Sequence, residues 1–154
     1  MELAQILVAE SVKVLSNVSS KKRLLQSISE MSEDLHGLDA QKVLDALQER
    51  ELLGATGMGK GIAVPHARMA DVNQVIGFFL RLETPIDFDS IDRQPVDLVF
   101  ALLAPEDAGA DHLKALAKVS RTLRDETNCR KLRSTEDPSA LFAILTETNA
   151  SQAA

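Results

Sequence analysis

Apolar residues recur every three or four positions in the first third of the chain, the spacing that places them on one face of a helix. Ser20 is positioned to cap a first helix and Gly37 to end it, while Asp39 is positioned to cap a second helix that stops at Gly54. We therefore predict a helical hairpin with Arg50 near the end of its second helix. Its inward residues are predicted to be Leu24, Ile28, Met31, Leu35, Val43, Leu44 and Leu47.

Two nearly continuous apolar runs, 74–82 and 96–104, have the length and composition of strands that are covered on both faces. Helices are predicted after them, one from about Ala110 and one from Pro138. The inward stripe of the first of these helices is predicted to be Leu113, Leu116, Ala117 and Leu123. Strands between helical segments indicate a three-layer α/β or α+β fold, in one domain over residues 1–154. Residues 149–154 are predicted to fray.

The charge and composition exclude several classes of protein. The 154 residues carry a formal net charge of −6, so only a local basic patch could attract nucleic acid, and no nucleic-acid partner is predicted. The longest purely apolar run, Leu98 to Ala104, is far too short to span a membrane, so no membrane insertion is predicted. Cys129 is the single cysteine and lies in a polar segment, which favours a reducing, cytoplasmic location and an inert thiol.

The segment ATGMGKGIAVPHAR, from Ala55 to Arg68, concentrates glycines before a Pro-His pair. It begins like a nucleotide-binding loop, but Gly61 stands where such a loop needs Ser or Thr, and a helix precedes it where a strand should. Two interpretations remain open: a tight connection with positive φ angles, or a loop whose backbone N–H groups receive an anion. The residues that would form this phosphate-cradling loop are Thr56, Gly57, Gly59 and Gly61.

The three histidines differ in their sequence surroundings. His36 ends a helix and is interpreted as structural or solvated. His66 follows Pro65 at a strand end, where a rigid backbone aims its ring, so it is the best candidate for function. His112 lies in the first turn of a helix, where a neutral imidazole is favoured and could hydrogen-bond a phosphate oxygen. Neither His66 nor His112 has a ligand partner three or four positions away, so no metal site is predicted.

The residues around both histidines form one long pattern. Arg50-Glu51-x-x-Gly54-x-Thr56-Gly57-x-Gly59-x-Gly61-Ile62-Ala63-Val64-Pro65-His66, with His112-Leu113 at the start of a later helix, resembles the phosphotransferase-system enzyme IIA proteins of the fructose and mannitol class. The resemblance covers nearly the whole chain and is greatest to the free-standing, nitrogen-regulatory type. It implies a mixed central sheet with helices on both faces.

The resemblance also implies a role for each site residue. His66 would be phosphorylated on Nε2 by a phosphohistidine of an HPr-like carrier, His112 would help to hold the phosphoryl group, and Arg50 would lie close by. The chain would then be a phosphotransferase component, a phosphohistidine relay whose state is recognised by regulated partner proteins. No cofactor is expected, because the donor is already a phosphoramidate. We expect His66 to be exposed, and the candidates for an apolar rim around it are Met58, Ala67 and Met69, with Ile62 interpreted rather as core or strand packing.

Three alternatives remain open on the sequence alone. A sugar-specific enzyme IIA would pass its phosphate to an enzyme IIB of a membrane permease, whereas a sensor or binding domain would keep the fold without the phosphate chemistry. A hydrolytic or metal enzyme is the third alternative. The oligomeric state is also open, with weak self-association among the alternatives, as are the roles of Lys60 and Arg68, which add positive charge near the site.

Overall fold

The computed structural model describes residues 1–153, with side chains through Glu147, and contains a six-stranded sheet and five α-helices. Two 3₁₀ turns, Leu3–Gln5 and Ala9–Ser11, precede the first strand. The strands are β1 (Val12–Leu15), β2 (Gly57–Gly59), β3 (Ile62–Ala63), β4 (His66–Met69), β5 (Ile76–Ile86) and β6 (Val96–Pro105). The helices are α1 (Lys21–His36), α2 (Ala40–Leu52), α3 (Gly109–Arg124), α4 (Glu126–Arg133) and α5 (Pro138–Ala153).

The sheet is mixed, and its centre is the antiparallel pair β5 and β6. β1 pairs in parallel with β5, while β3 and β4 follow one another along the other edge of β6, both in parallel. Pro65 lies between β3 and β4, and its carbonyl accepts a hydrogen bond from the Leu102 N–H at 3.0 Å. Because proline has no N–H to donate, the pairing is interrupted here and resumes at His66.

Helices cover both faces of the sheet, as predicted, because successive side chains of a strand point to opposite faces. Phe78 and Leu80 of β5 lie in one buried cluster with apolar residues of α1 and α2. Phe79 and Phe100 lie in a second cluster with residues of α3, α4 and α5. The three-layer α/β expectation is therefore confirmed.

The predicted helix ends follow from local hydrogen bonds. The Ser20 hydroxyl accepts from the Arg23 N–H at 3.1 Å, and the Asp39 carboxylate accepts from two N–H groups at the start of α2. Gly37 ends α1 with φ of 68°, a conformation that glycine adopts at little cost. The predicted start of α5 at Pro138 is also confirmed. The two apolar runs are β5 and β6, of which β5 is displaced toward Ile86.

Other expectations were wrong or incomplete. α3 is rotated relative to the predicted stripe: Leu113 and Ala117 are exposed, whereas His112, Ala115 and Val119 are buried. β1 and α4 were not predicted. Cys129 lies within α4, where burial raises the pKa of its thiol, in agreement with an inert residue.

No helix among the described residues is long and apolar enough to cross a bilayer. The α5 backbone runs to Ala153, and the side chains of the segment predicted to fray, 149–154, lie outside the described part of the chain.

Candidate functional site

The glycine segment is a β-hairpin. β2 and β3 pair antiparallel, and the turn residues Lys60 and Gly61 have φ of 58° and 80°. Two successive positive φ angles are what a tight type I′ turn requires. The Asp92 carboxylate accepts from the Lys60 N–H at 2.8 Å and holds the turn. The segment therefore opens no helix, and the interpretation as a tight connection accounts for Gly61.

Gly57 is required by packing. A Cβ atom at this position would lie 2.2 Å from Ser90 Oγ and 3.1 Å from Ser90 Cα, closer than nonbonded atoms approach. The absence of a side chain lets the loop between β5 and β6 pack directly on the hairpin. This contact holds Gly57, which lines the cleft beside His66, against Ser90.

Glu51 connects the end of α2 to the hairpin. Its buried carboxylate accepts from the Thr56 N–H at 3.0 Å and from the Thr56 hydroxyl, and it lies 2.8 Å from Lys21 Nζ. Both donors of Thr56 are thus used by Glu51. Thr56 is held as part of the wall of the site, with neither its N–H nor its hydroxyl directed at an incoming anion.

His66 is the first residue of β4 and is half-buried, less exposed than we expected. Its Nδ1 lies 2.7 Å from the Val64 carbonyl oxygen. A carbonyl can only accept, so the proton of the neutral ring lies on Nδ1, and Nε2 carries a lone pair. Burial lowers the pKa of His66, the Val64 carbonyl opposes this effect, and Arg50 lowers the pKa further. The lowered pKa favours the neutral ring near pH 7, in which Nε2 has a free lone pair.

His112 is buried, with 4% of its surface exposed, and its ring centroid lies 5.4 Å from that of His66. Arg68 Nε donates to His112 Nδ1 at 3.0 Å. Burial first, and then the neighbouring His66 and Arg68, lower the pKa of His112 to about 4. The expected neutral imidazole is therefore present, and it is a buried residue beside His66 and not an exposed or capping one.

His66 lies between two clefts. One, of about 640 Å³, is lined by Thr56, Gly57, Gly59, Lys60 and Arg124 among others, and the other, of about 580 Å³, by Arg68, His112 and Leu113 among others. Arg50 borders both clefts. The two clefts are lined by four cationic side chains, Arg50, Lys60, Arg68 and Arg124, and by one acidic side chain, Glu49, a balance that favours an anionic group.

The structure therefore brings His66, His112 and Arg50 together, and it places three of the four loop residues on the cleft wall. Gly61 is the exception: its carbonyl accepts from the N–H groups of Asp97 and Leu98 on β6. No group of three or more potential metal ligands occurs among the residues described.

The apolar rim differs from the predicted one. Of its three candidate members, Ala67 and Met69 are buried and only Met58 is partly exposed, whereas Ile62 is buried as expected of a packing residue. The exposed apolar residues beside the clefts are Leu53, Leu113 and Ile91, which are 84%, 62% and 92% exposed. Leu53 directly follows α2, beyond the last residue of that helix that faces the core. An apolar residue at such a position could have indicated from the sequence that Leu53 is exposed beside the site. Sequence analysis assigned no role to Glu51 or Arg124 and left the role of Arg68 open.

Comparisons with known proteins agree with this geometry. A "Nitrogen regulatory protein" of Bradyrhizobium diazoefficiens is 44% identical over 145 residues, 94% of this chain and 95% of that protein. One of Escherichia coli is 43% identical over 149 residues, 96% and 91% of the respective chains. The crystal structure of nitrogen regulatory protein IIA-Ntr from Neisseria meningitidis superposes with a TM-score of 0.87 at 38% identity, over 94% of this chain and 99% of that one.

A family model matches residues 5–148, nearly the whole chain, and it is described as the phosphoenolpyruvate-dependent sugar phosphotransferase system, EIIA 2. This chain belongs to that EIIA family of phosphotransfer proteins.

Proposed function

We propose that this chain is a phosphoryl carrier in which His66 Nε2 accepts a phosphoryl group from a phosphohistidine on an HPr-like carrier protein. The phosphorylation state of His66 then controls partner proteins in nitrogen or metabolic regulation. One observation carries the proposal: the 2.7 Å hydrogen bond from Nδ1 to the Val64 carbonyl leaves the lone pair of the half-buried ring on Nε2. We assign this role to a single domain over residues 1–154.

In the proposed transfer, the Nε2 lone pair forms a bond to phosphorus while the phosphorus–nitrogen bond of the donor breaks. The bonding electrons stay with the donor imidazole. No proton has to leave Nε2, because it carries none. The positive charge that develops on the His66 ring is stabilised by the hydrogen bond from Nδ1–H to Val64. Arg50 and His112 are the proposed partners of the phosphoryl oxygens. In-line phosphoryl transfer needs such groups to position the phosphoryl group and to stabilise the charge on its oxygens.

Regulation would follow from charge and exposed apolar surface. Phosphorylation adds roughly −1.5 to −2 charges, by analogy with other phosphorylated side chains. This charge would appear between two clefts bordered by the exposed residues Leu53, Leu113 and Ile91. A partner that buries this rim would have to accept or reject the new charge. The name of the similar proteins, "Nitrogen regulatory protein", supports a regulatory readout over a sugar-specific one.

The test is phosphoryl transfer from a ³²P-labelled HPr-like carrier to the purified chain. We expect a label that is stable in alkali and labile in acid on the wild type, and none on His66→Ala. His36→Ala is the matched control, because His36 lies at the end of α1 outside the site, and it should retain the label. Equal labelling of His66→Ala, or no labelling of the wild type, would refute the proposal.

A sugar-specific role is the second candidate, because the family description itself names sugar phosphotransfer. It differs in the acceptor of the phosphate. Incubating the labelled chain with a sugar-specific IIB protein distinguishes the two roles: rapid loss of label to IIB favours the sugar pathway, whereas a stable label favours regulation.

A further inference from the structure

Arg68 on strand β4 donates a hydrogen bond to His112 on helix α3, although the two residues are 44 positions apart in the sequence. Arg68 is two residues after His66 on β4, so both side chains leave the same face of that strand. Register places Arg68 opposite Ala104 near the end of β6, from which the chain enters α3 and His112. The backbone thus brings this guanidinium and both imidazoles to one corner of the molecule.

The contact determines which nitrogen of His112 carries the proton. An arginine Nε can only donate a hydrogen bond, so His112 Nδ1, at 3.0 Å, must accept it. In a neutral ring the proton is then on Nε2. Nε2 is buried and has no hydrogen-bond partner among the described residues. A buried donor without a partner is unfavourable, so the Nε2–H of His112 is available to a group from outside the chain that accepts a hydrogen bond.

We propose that Arg68 is a positioning residue: it holds His112 in the Nε2–H tautomer, so that His112 offers a hydrogen-bond donor to the phosphoryl group carried by the neighbouring His66. This inference rests on the proposed function. The opposite tautomer would present a lone pair to the phosphoryl oxygens and repel them. His66 and His112 are therefore held in opposite tautomers, one as the lone-pair nucleophile and the other as the N–H donor, by Val64 and Arg68 respectively.

Two neutral variants separate the donor from the charge. The amide nitrogen of Arg68→Gln lies as many bonds from Cβ as Arg68 Nε does, so it can donate to His112 Nδ1. Arg68→Met places its terminal methyl group there and offers no donor, although it removes the same charge. The residue is exposed as a whole, so both variants should fold. Arg121→Met removes an exposed cation from α3 away from both clefts and is the charge control.

The experiment combines ¹⁵N NMR of the histidine rings of the unphosphorylated protein at pH 7 with phosphoryl-transfer kinetics from the labelled carrier. We expect one His112 tautomer, with the proton on Nε2, in the wild type, Arg68→Gln and Arg121→Met, and a mixture in Arg68→Met. The transfer rate at saturating donor should be about tenfold lower in Arg68→Met than in Arg68→Gln. This is the loss expected when one hydrogen bond, from His112 Nε2–H to the charged phosphoryl group, is no longer made. The donor concentration for half-maximal rate should be similar in the two.

Each other outcome has a definite meaning. A proton on Nδ1 of His112 in the wild type, or an unchanged tautomer in Arg68→Met, overturns the inference. Equal rates for the Met and Gln variants overturn it as well, because Arg68 would then act only through its charge. The NMR measurement needs no phosphate, so it is informative even where transfer fails. A wild type that takes no label overturns the proposed function itself, and with it the role of Arg68 in transfer.

Discussion

Acidification should destabilise this protein through His112, a group whose burial is nearly complete. The pKa of His112 is about 4 in the folded chain, against about 6.5 for a histidine in an unfolded chain. Between these two values the unfolded state binds a proton that the folded state does not. Stability is therefore full above pH 6.5, falls as the pH decreases through this window, and stops falling below about pH 4.

The magnitude follows from the difference between the two pKa values. It corresponds to about 3 kcal/mol over the whole window, of which about 2 kcal/mol is lost between pH 7 and pH 5. Burial also lowers the pKa values of His36 and His66, so they act in the same direction. A variant that removes only His112 is needed to separate its contribution.

The assay is urea unfolding at pH 7 and pH 5, followed by far-UV circular dichroism because the chain has no Trp or Tyr. His112→Asn does not titrate, and its side-chain oxygen can still accept from Arg68. We expect the free energy of unfolding of the wild type to fall by about 2 kcal/mol more than that of this variant. His36→Asn is the control and should behave nearly as the wild type. If His112→Asn loses as much stability as the wild type, the assigned pKa is wrong.

Two further predictions concern Gly57 and Glu51. Gly57→Ala should lower stability by about 1–3 kcal/mol, because its Cβ would overlap Ser90, and Ser90→Gly in the same chain should restore part of the loss by removing two of the three closest atoms. Thermal unfolding of the single and double variants checks this, and a fully stable Gly57→Ala would show that the hairpin and loop are not in rigid contact. Glu51→Gln should cost about 1–3 kcal/mol and slow phosphoryl transfer, because it removes the carboxylate that Lys21 and both donors of Thr56 share. A double-mutant cycle with Lys21→Met measures the coupling free energy between Lys21 and Glu51, and a value near zero would show that this ion pair does not stabilise the protein.

The elements that sequence patterns predicted are those specified by local signals. Ser20, Gly37 and Asp39 act within a few residues of the helix ends that they define, so their roles could be inferred without tertiary structure. α4 was missed because half of its eight residues are charged, and its buried residues include only one large apolar side chain, Leu132. β1 was missed because it is short and pairs only with β5, a partner far along the chain.

The candidate site was predictable only in part. His66 was singled out by its Pro-His context, but its proximity to His112 came from a family resemblance and not from spacing. The roles of Glu51 and Arg68 depend on partners brought together by the fold. The apolar rim was predicted from residues close to His66 in sequence, but alternation along β4 sends Ala67 and Met69 into the interior.

The two carbonyls around the break in pairing at Pro65 have different partners, and this difference has a consequence of its own. The Pro65 carbonyl accepts from the Leu102 N–H of β6, whereas the Val64 carbonyl lies beyond the pairing of β2 with β3 and meets the His66 imidazole. A carbonyl left free of the sheet pairing is thus what keeps the proton of His66 on Nδ1. A mutation that engaged this carbonyl elsewhere would change the tautomer of His66 with little effect on the free energy of unfolding, so stability measurements alone would not detect it.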